Sequence, residues 1–489
     1  MRCLVTGATG YLGGRLVPRL LAEGHRVRCL VRDPGKLRDV PWVDRVEVVR
    51  GDVLDPASLA AAVEGVDVVH YLVHSLHDPD FADADRRAAE NTARAAAEAG
   101  VGRIVYLGGL HPPGVRLSPH LASRKEVGDV FLRGPVPAAV LQAAVIIGSG
   151  SASFEMLRYL TERLPVMVAP RWVRNRVQPI AVRDVLRYLV GAVRLPPDVN
   201  RTFDLGGPDV LTYLDMMKRY ARVAGLRPRR VLPVPILTPH LSSHWVDLIT
   251  PVPRSIAAPL VESLVHEVVC REHDIEDLLP GETTGYERAV ALALARVRDA
   301  DVETRWSGAS VPGAPSDPLP SDPGWSGGSS YLDVRERATT APPERLWSVV
   351  EGIGGEHGWY SFPLAWAVRG WLDRLVGGVG LRRGRRDPRR LHVGEALDWW
   401  RVEEVERGRL LRLRAEMRVP GLAWLELQVL PPADGSTGST YRQRAVFVPR
   451  GLAGHAYWWL VWPFHGLVFG GMVRNITSEA ELTSEFRKS

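Results

Sequence analysis

Thr6-Gly7-Ala8-Thr9-Gly10-Tyr11-Leu12-Gly13 is the stretch whose reading decides the fold of the first half of the chain. It follows a short apolar run, Arg2 to Thr6, and it precedes Tyr11 to Glu23, whose apolar spacing is that of a helix closed by Gly24. Pro18 inside that helix predicts a mild kink. The three glycines, spaced three and three, have separate tasks. Gly7 permits a tight turn, Gly10 lets the backbone approach a pyrophosphate, and Gly13 lets the helix pack closely. Phosphates seated there face unpaired N–H groups and the positive end of the helix dipole. A glycine triplet alone is a weak signal; the strand before it and the helix after it give it meaning. The whole turn, with Ala8, Thr9, Tyr11 and Leu12 between the glycines, is therefore expected to hold a dinucleotide.

Working outward, β-rich runs at Val27 to Val31, Val46 to Arg50, Val66 to Leu72, Arg103 to Leu107 and Ala138 to Ala143 alternate with helical stretches. Phe81 to Ala99 is the longest of these helices and ends at Gly100. The alternation predicts an α/β fold with a doubly wound parallel sheet. Arg32, at the end of the second strand, suits the 2′-phosphate of NADP, where an acid would repel it. The alternative is a solvated Arg32 with Asp33 turned to the ribose of NAD. Asp52, beside Val53 at the close of the third strand, stands where a carboxylate can accept from the adenine amino group, or else is an ordinary turn residue.

After Gly150 the pattern loosens into a smaller lobe, about 150–305, punctuated by prolines and closed by a helix from about Gly285 to Asp299. Residues 306–330 carry little but Ser, Gly, Pro and Asp and read as a linker. From Tyr331 to about Thr483 the texture changes to tryptophans and alternating strands, at Ala396 to Glu403, Leu410 to Arg418 and Trp424 to Leu430. That is a second, α+β domain with an antiparallel sheet. The segment 456–473 has no formal charge, but Pro463, His465, Gly470 and Gly471 make it a poor spanning helix and a better core helix.

Composition excludes a disordered or fibrous chain: 45% of residues are hydrophobic and 24% charged, with a net charge of +6. Three cysteines, Cys3, Cys29 and Cys270, show no paired spacing, and no signal-peptide pattern opens the chain, so a cytoplasmic protein is expected. Nucleic-acid binding is not expected, because the aromatic residues fall in apolar runs and do not alternate with basic ones. Arg382-Arg383-Gly384-Arg385-Arg386-Asp387-Pro388-Arg389-Arg390 is either a solvated loop or a seat for anionic lipid, so 359–390 and 456–473 are candidate contacts with a membrane surface. His266-Glu267-Val268-Val269-Cys270 has a cysteine where a zinc-protease helix needs its second histidine, and is expected to be a helical surface. Gly148-Ser149-Gly150-Ser151-Ala152 is out of frame for a nucleophile elbow and is expected near the nicotinamide end.

With these residues in view, the first 300 or so resemble the short-chain dehydrogenase/reductase superfamily, in its atypical branch near the NmrA-like and complex I 39-kDa-like Rossmann proteins. The resemblance extends to Val68 to Ser75 (VVHYLVHS), to Gln178 to Val185 (QPIAVRDV) and to Phe203 to Pro208 (FDLGGP). It implies that Leu72, Val73 and His74 line the cofactor. It also exposes a departure. Where the family has a serine at the end of the fifth strand the chain reads Leu107-Gly108-Gly109, and where it has Tyr-x-x-x-Lys the chain has His120 and Arg124. His120 is then the expected proton donor and Arg124 the holder of the nicotinamide ribose, with His74, Ser75 and His111 as alternatives. The second domain is similar, through Glu351 to Tyr360, Tyr457-Trp458-Trp459 and Trp462 to His465, to a family of unknown function related to START-like, helix-grip proteins that enclose an apolar ligand. Together these imply an NADP-dependent oxidoreductase acting by hydride transfer on a small apolar carbonyl or hydroxyl substrate. The alternative is a redox sensor or structural cofactor domain that binds NADP without turnover, coupled to a C-terminal domain that binds a lipid or other apolar ligand.

Overall fold

The computed structural model describes residues 1–37, 40–75, 80–234, 250, 252–300, 330–354, 358–360, 390–417, 419–431 and 438–485. The expected linker up to Ser329, most of 359–390 and all but the last arginine of the basic run lie outside the described residues. The chain divides into two compact units, Met1–Gly328 and Ser329–Ser489.

The first unit begins β1 (Arg2–Thr6), α1 (Tyr11–Ala22), β2 (Arg26–Val31), β3 (Glu47–Arg50), α2 (Pro56–Val63), β4 (Val68–Tyr71), α3 (Phe81–Glu98), β5 (Arg103–Gly109), α4 (Pro119–Arg133) and β6 (Ala138–Ala143). It continues with α5 (Ala152–Arg163), α6 (Val182–Gly191), β7 (Arg201–Leu205), α7 (Tyr213–Val223), α8 (Arg254–Ser263), α9 (Asp274–Leu278) and α10 (Tyr286–Ala300). Seven parallel strands form one sheet in the order β7-β6-β5-β4-β1-β2-β3. The strand order reverses after β3, which opens a crevice at the carboxyl ends of β1 and β4, where such sheets bind ligands. One apolar layer, with Leu16, Val17, Leu20 and Leu186, packs on one face; another, with Leu59, Ala88, Val127 and Phe131, packs on the other.

One expectation needs correcting. Arg201–Leu205, assigned by position to the smaller lobe, returns to the main sheet as its seventh strand, paired with β6. It lies at the edge of the sheet with its last three residues buried, and Asp204 among them, 2% exposed, is neutralised by Arg271, which donates two hydrogen bonds at 3.0 Å. The lobe is thus built from segments on both sides of that strand. A separate core holds it together around Phe154, Met216, Tyr220 and Val290.

The second unit is an antiparallel sheet of β8 (Tyr331–Thr339), β9 (Ala396–Leu397), β10 (Trp400–Glu406), β11 (Leu410–Ala415), β12 (Gly421–Leu430) and β13 (Ser439–Pro449), in the order β8-β13-β12-β11-β10-β9. Two helices, α11 (Pro343–Glu351) and α12 (Gly451–Glu485), cover one face and bury Trp347, Trp399, Leu413, Leu425, Met472 and Ile476. The segment 456–473 is helical as expected, and from Phe469 onward it is a core helix. Its first part is not, because Trp459 and Leu460 are 65% and 72% exposed. Among the described residues no helix is long and apolar enough to cross a membrane.

Candidate functional site

The turn between β1 and α1 is shaped by backbone approach. Gly7 has a φ of +76°, and a Cβ there would sit 2.8 Å from the Leu72 carbonyl oxygen. The Gly10 N–H donates to the Gly7 oxygen at 2.9 Å, and a Cβ on Gly13 would overlap that same oxygen. Gly10 stands at the cap of α1, so no cap side chain covers the positive end of the helix, which faces the turn. The hydroxyl of Thr6 donates to the His70 carbonyl and accepts from the Leu72 N–H, both at 3.3 Å, which locks the ends of β1 and β4 together. The backbone of Leu72 and Val73 thereby lies against Gly7 of the turn. This cradle, narrowed to what glycine allows, fits a dinucleotide diphosphate.

Arg32 is exposed at the end of β2 and has no hydrogen bond or ion pair among the described residues. Asp33 turns into its own loop, where its Oδ1 accepts from the Gly35 N–H at 2.9 Å. Of the two, Arg32 is the one left available to a nucleotide. Asp52 accepts from the Leu54 N–H at 3.0 Å, and its N–H donates to Ser58 Oγ, so it serves the turn; Val53 beside it is buried.

At the other end of the crevice the structure assembles side chains that are far apart in the chain. His74 follows β4, and its Nδ1 lies 2.7 Å from Asp85 Oδ2 on α3. Asp85 also accepts from the Ser75 N–H at 2.9 Å and from Ser123 Oγ at 3.4 Å. His120, on the first turn of α4, stacks on His74 with ring centroids 5.3 Å apart. Its Nδ1 is 3.0 Å from Ser263 Oγ at the end of α8. Ser263 also contacts Ser118 Oγ at 3.0 Å and donates to the Pro259 carbonyl at 2.9 Å. Ser118 caps α4 through the Leu121 N–H, and its own N–H donates to His266. Arg124 donates to the Leu107 carbonyl at the end of β5, and its guanidinium lies over the Tyr106 ring.

Burial lowers the pKa of His120 to about 3, with the neighbouring His74 and Arg124 acting in the same direction. Burial and Arg124 also lower that of His74, against the hydrogen bond and charge of Asp85. For Asp85 burial acts upward, but His74, Ser75 and Arg124 outweigh it and hold the carboxyl below its ordinary value.

The missing serine has a steric counterpart. A Cβ on Gly109 would come within 2.9 Å of Leu121, so α4 occupies that space. The tyrosines nearby do not replace the missing acid: Tyr71 and Tyr106 are buried, and Tyr106 spends its hydroxyl on the Arg124 carbonyl. His111 is buried against Gln142 at 3.3 Å, away from the stacked pair's hydrogen bonds. The Gly148 loop reaches the cradle, since a Cβ on Gly148 would overlap the Tyr11 hydroxyl, and Gly150 is fixed by donating to Glu155 at 2.8 Å.

His266–Cys270 corrects a second expectation. It is extended and not helical, with Val268 bridged to Val177, because its role is to be stitched to the lobe: Glu267 pairs with Arg176, and the Cys270 N–H donates to Gln178. No group of metal-ligating side chains occurs among the described residues. Gln178 donates in turn to the Gly207 carbonyl at 2.8 Å, and Asp184 accepts from the Thr284 N–H at 2.7 Å, so the two downstream motifs fasten the lobe. Asp85 and Ser263 were not singled out from the sequence. Asp85 lies in an alanine-rich helix whose other acids are solvated, and Ser263 is 143 positions from its partner, so neither carries a local signal.

A family described as NAD(P)H-binding matches residues 7–131, and a protein family of unknown function matches residues 325–472. The chain is 32% identical to a ceramide reductase of Caulobacter vibrioides over 277 residues, 54% of this chain and 83% of that protein. It is 27% identical to the mouse mitochondrial NADH dehydrogenase (ubiquinone) 1 alpha subcomplex subunit 9 over 291 residues, 58% of this chain and 74% of that protein. Among solved structures, the Citrobacter triphenylmethane reductase superposes with a TM-score of 0.51 at 23% identity, over 60% of this chain and 100% of its own. That likeness is one of fold.

Proposed function

Because the chain belongs to the NAD(P)H-binding, Rossmann-type family that includes the Caulobacter ceramide reductase, we propose that it is an NADPH-dependent reductase of an apolar carbonyl compound. The observation that carries this reading is the stacked pair His74 and His120, joined to Asp85 and Ser263, at the carboxyl ends of the strands beside the glycine cradle. Bound NADPH supplies a hydride to the substrate carbon. The protein's own groups do the rest. The cradle from Gly7 to Gly13 holds the diphosphate, and Arg32 pairs with the 2′-phosphate. Arg124, anchored on Leu107, stands in the place of the family's lysine and orients the nicotinamide ribose. His120 stands in the place of the family's tyrosine, and the histidine pair handles the proton that the product oxygen gains. The apolar substrate class is supported by the relative named for ceramide, a lipid.

The test is cofactor oxidation. NADPH absorbance should fall when long-chain carbonyl compounds are added to the full chain, and faster than with short polar ones. A protein that binds NADPH but turns over nothing in such a panel would contradict the reductase and support a sensor.

A second reading concerns the other unit. The antiparallel sheet closed by a long helix supports a helix-grip domain for an apolar ligand, and the exposed Trp459, Leu460 and Trp462 support contact with a bilayer surface. Flotation with anionic vesicles tests the contact. The full chain should float, and a Trp459→Ser, Leu460→Ser variant should not; equal behaviour of the two would contradict it.

A further inference from the structure

We propose that the proton used at this site is carried by His74, held against Asp85, and that His120 stays neutral. The inference deepens the reductase reading and rests on it.

Asp85 accepts from three donors, His74, the Ser75 N–H and Ser123, and a buried carboxyl so surrounded is ionised. An ionised oxygen only accepts, so His74 carries hydrogen on Nδ1. Its Nε2 is then the atom where a proton is gained or lost. That Nε2 is buried and has no hydrogen-bond partner among the described residues, which leaves it open to a ligand.

At His120 a hydroxyl stands where His74 has a carboxylate. Ser263 Oγ lies within hydrogen-bond distance of three groups, the Pro259 carbonyl at 2.9 Å, Ser118 Oγ at 3.0 Å and His120 Nδ1 at 3.0 Å. A hydroxyl donates to a bare ring nitrogen or accepts from a ring N–H, so it serves either neutral tautomer of His120. A second hydrogen on that ring would create a cation with no carboxylate in contact. Among the described residues, the charged and titratable groups around the stacked pair are Asp85 from α3, Arg124 from α4 and the two rings themselves, with His266 beyond them on the Ser118 N–H. Of the two rings, only His74 has the carboxylate in contact, so a single proton entering the pair resides there.

The step balances. A carbonyl becomes an alcohol by gaining a hydride at carbon, from NADPH, and a proton at oxygen. The His74 Nε2–H bond breaks, the proton goes to the substrate oxygen, and His74 is left neutral with Nδ1–H still on Asp85. Water restores the proton before the next turnover. Asp85 is the positioning residue, and Ser263 fixes the ring of His120.

Two measurements test this on the full chain. The first needs no cofactor: histidine ring signals in the nitrogen-labelled protein are followed against pH, with His74→Gln and His120→Gln identifying them. His74 should take up its proton at a higher pH than His120, and Asp85→Asn should lower the His74 value. A His120 ring that protonates first, or a His74 ring indifferent to Asp85→Asn, would overturn the proposal. The second is kinetic. In the reductive direction the rate should fall as pH rises through the His74 value, and His74→Gln should remove that limb with a loss of about 100-fold to 10,000-fold in kcat. His120→Gln should keep the limb. A limb lost with His120→Gln and kept with His74→Gln would overturn the assignment and leave the reductase intact. Should no substrate be turned over, the reductase reading fails, and the ring titration still decides which histidine holds the proton. Melting curves identify a variant that fails to fold, in which case Asp85→Asn and His74→Gln each serve in place of the other.

Discussion

The glycine turn at Gly7–Gly13 and the histidine cluster at His74–His120 stand at the carboxyl ends of strands of the same sheet, one built from backbone and the other from side chains. The turn uses atoms common to every residue, N–H groups and carbonyls, and gains its shape by leaving side chains out. Its components lie within eight consecutive residues. The cluster uses side chains from the β4 end, α3, α4 and α8, and none of them is effective without its partner. A backbone site tolerates variation in everything except glycine. A side-chain site depends on how distant elements pack, and it titrates.

The largest expected effect breaks the turn. Gly13→Val places a side chain on the Gly7 oxygen, where only backbone can yield, and should weaken NADPH binding by about 100-fold or more. Binding within threefold of wild type in a fluorescence titration would contradict the cradle. Next is a pH effect confined to side chains. His70, buried beneath the turn with Nε2 on the Leu189 carbonyl, is pushed down to about 4 by burial, as His120 is to about 3. Both folded values lie below the unfolded one, so the unfolded chain takes up protons first as pH falls. Stability is then complete above about pH 6.5 and lost toward pH 4, by on the order of 2 kcal/mol per histidine at pH 5. Urea midpoints at pH 7 and pH 5 check this, and His70→Gln should narrow the gap; an unchanged gap would contradict the assignment. Smaller still, Ser263→Ala removes the hydroxyl partner of His120 and should cost about 1 kcal/mol in the same unfolding experiment. No change would mean that α8 does not hold the ring.

The same contrast explains what could be read before the structure. The first six strands and the turn were legible because short apolar runs and glycine spacing are local, and the strands at Arg2–Thr6 and Ala138–Ala143 have the expected bounds. β7 was not, because Phe203-Asp204-Leu205 hides a buried carboxylate whose partner, Arg271, is distant in sequence. His120 and Arg124 were singled out because they stand where the resembled family has its Tyr-x-x-x-Lys. Asp85 was not, since nothing in DADRRAAE distinguishes the one acid that turns inward. His266–Cys270 resembled a helix only through its motif, and its pairing with Val177 was invisible. Ser263 became relevant only when α8 was packed on α4.

The central claim, that the crevice is made for NADPH, is tested most directly by titrating NADPH and NADH into the full chain and into Arg32→Asp. Arg32 is exposed at the end of β2 while Asp33 is engaged with Gly35, so the wild type should prefer NADPH by about 10-fold or more. Arg32→Asp should erase or reverse that preference and leave NADH affinity within a few-fold of the original. Equal affinity for the two nucleotides in wild type, or binding of neither, would contradict the account.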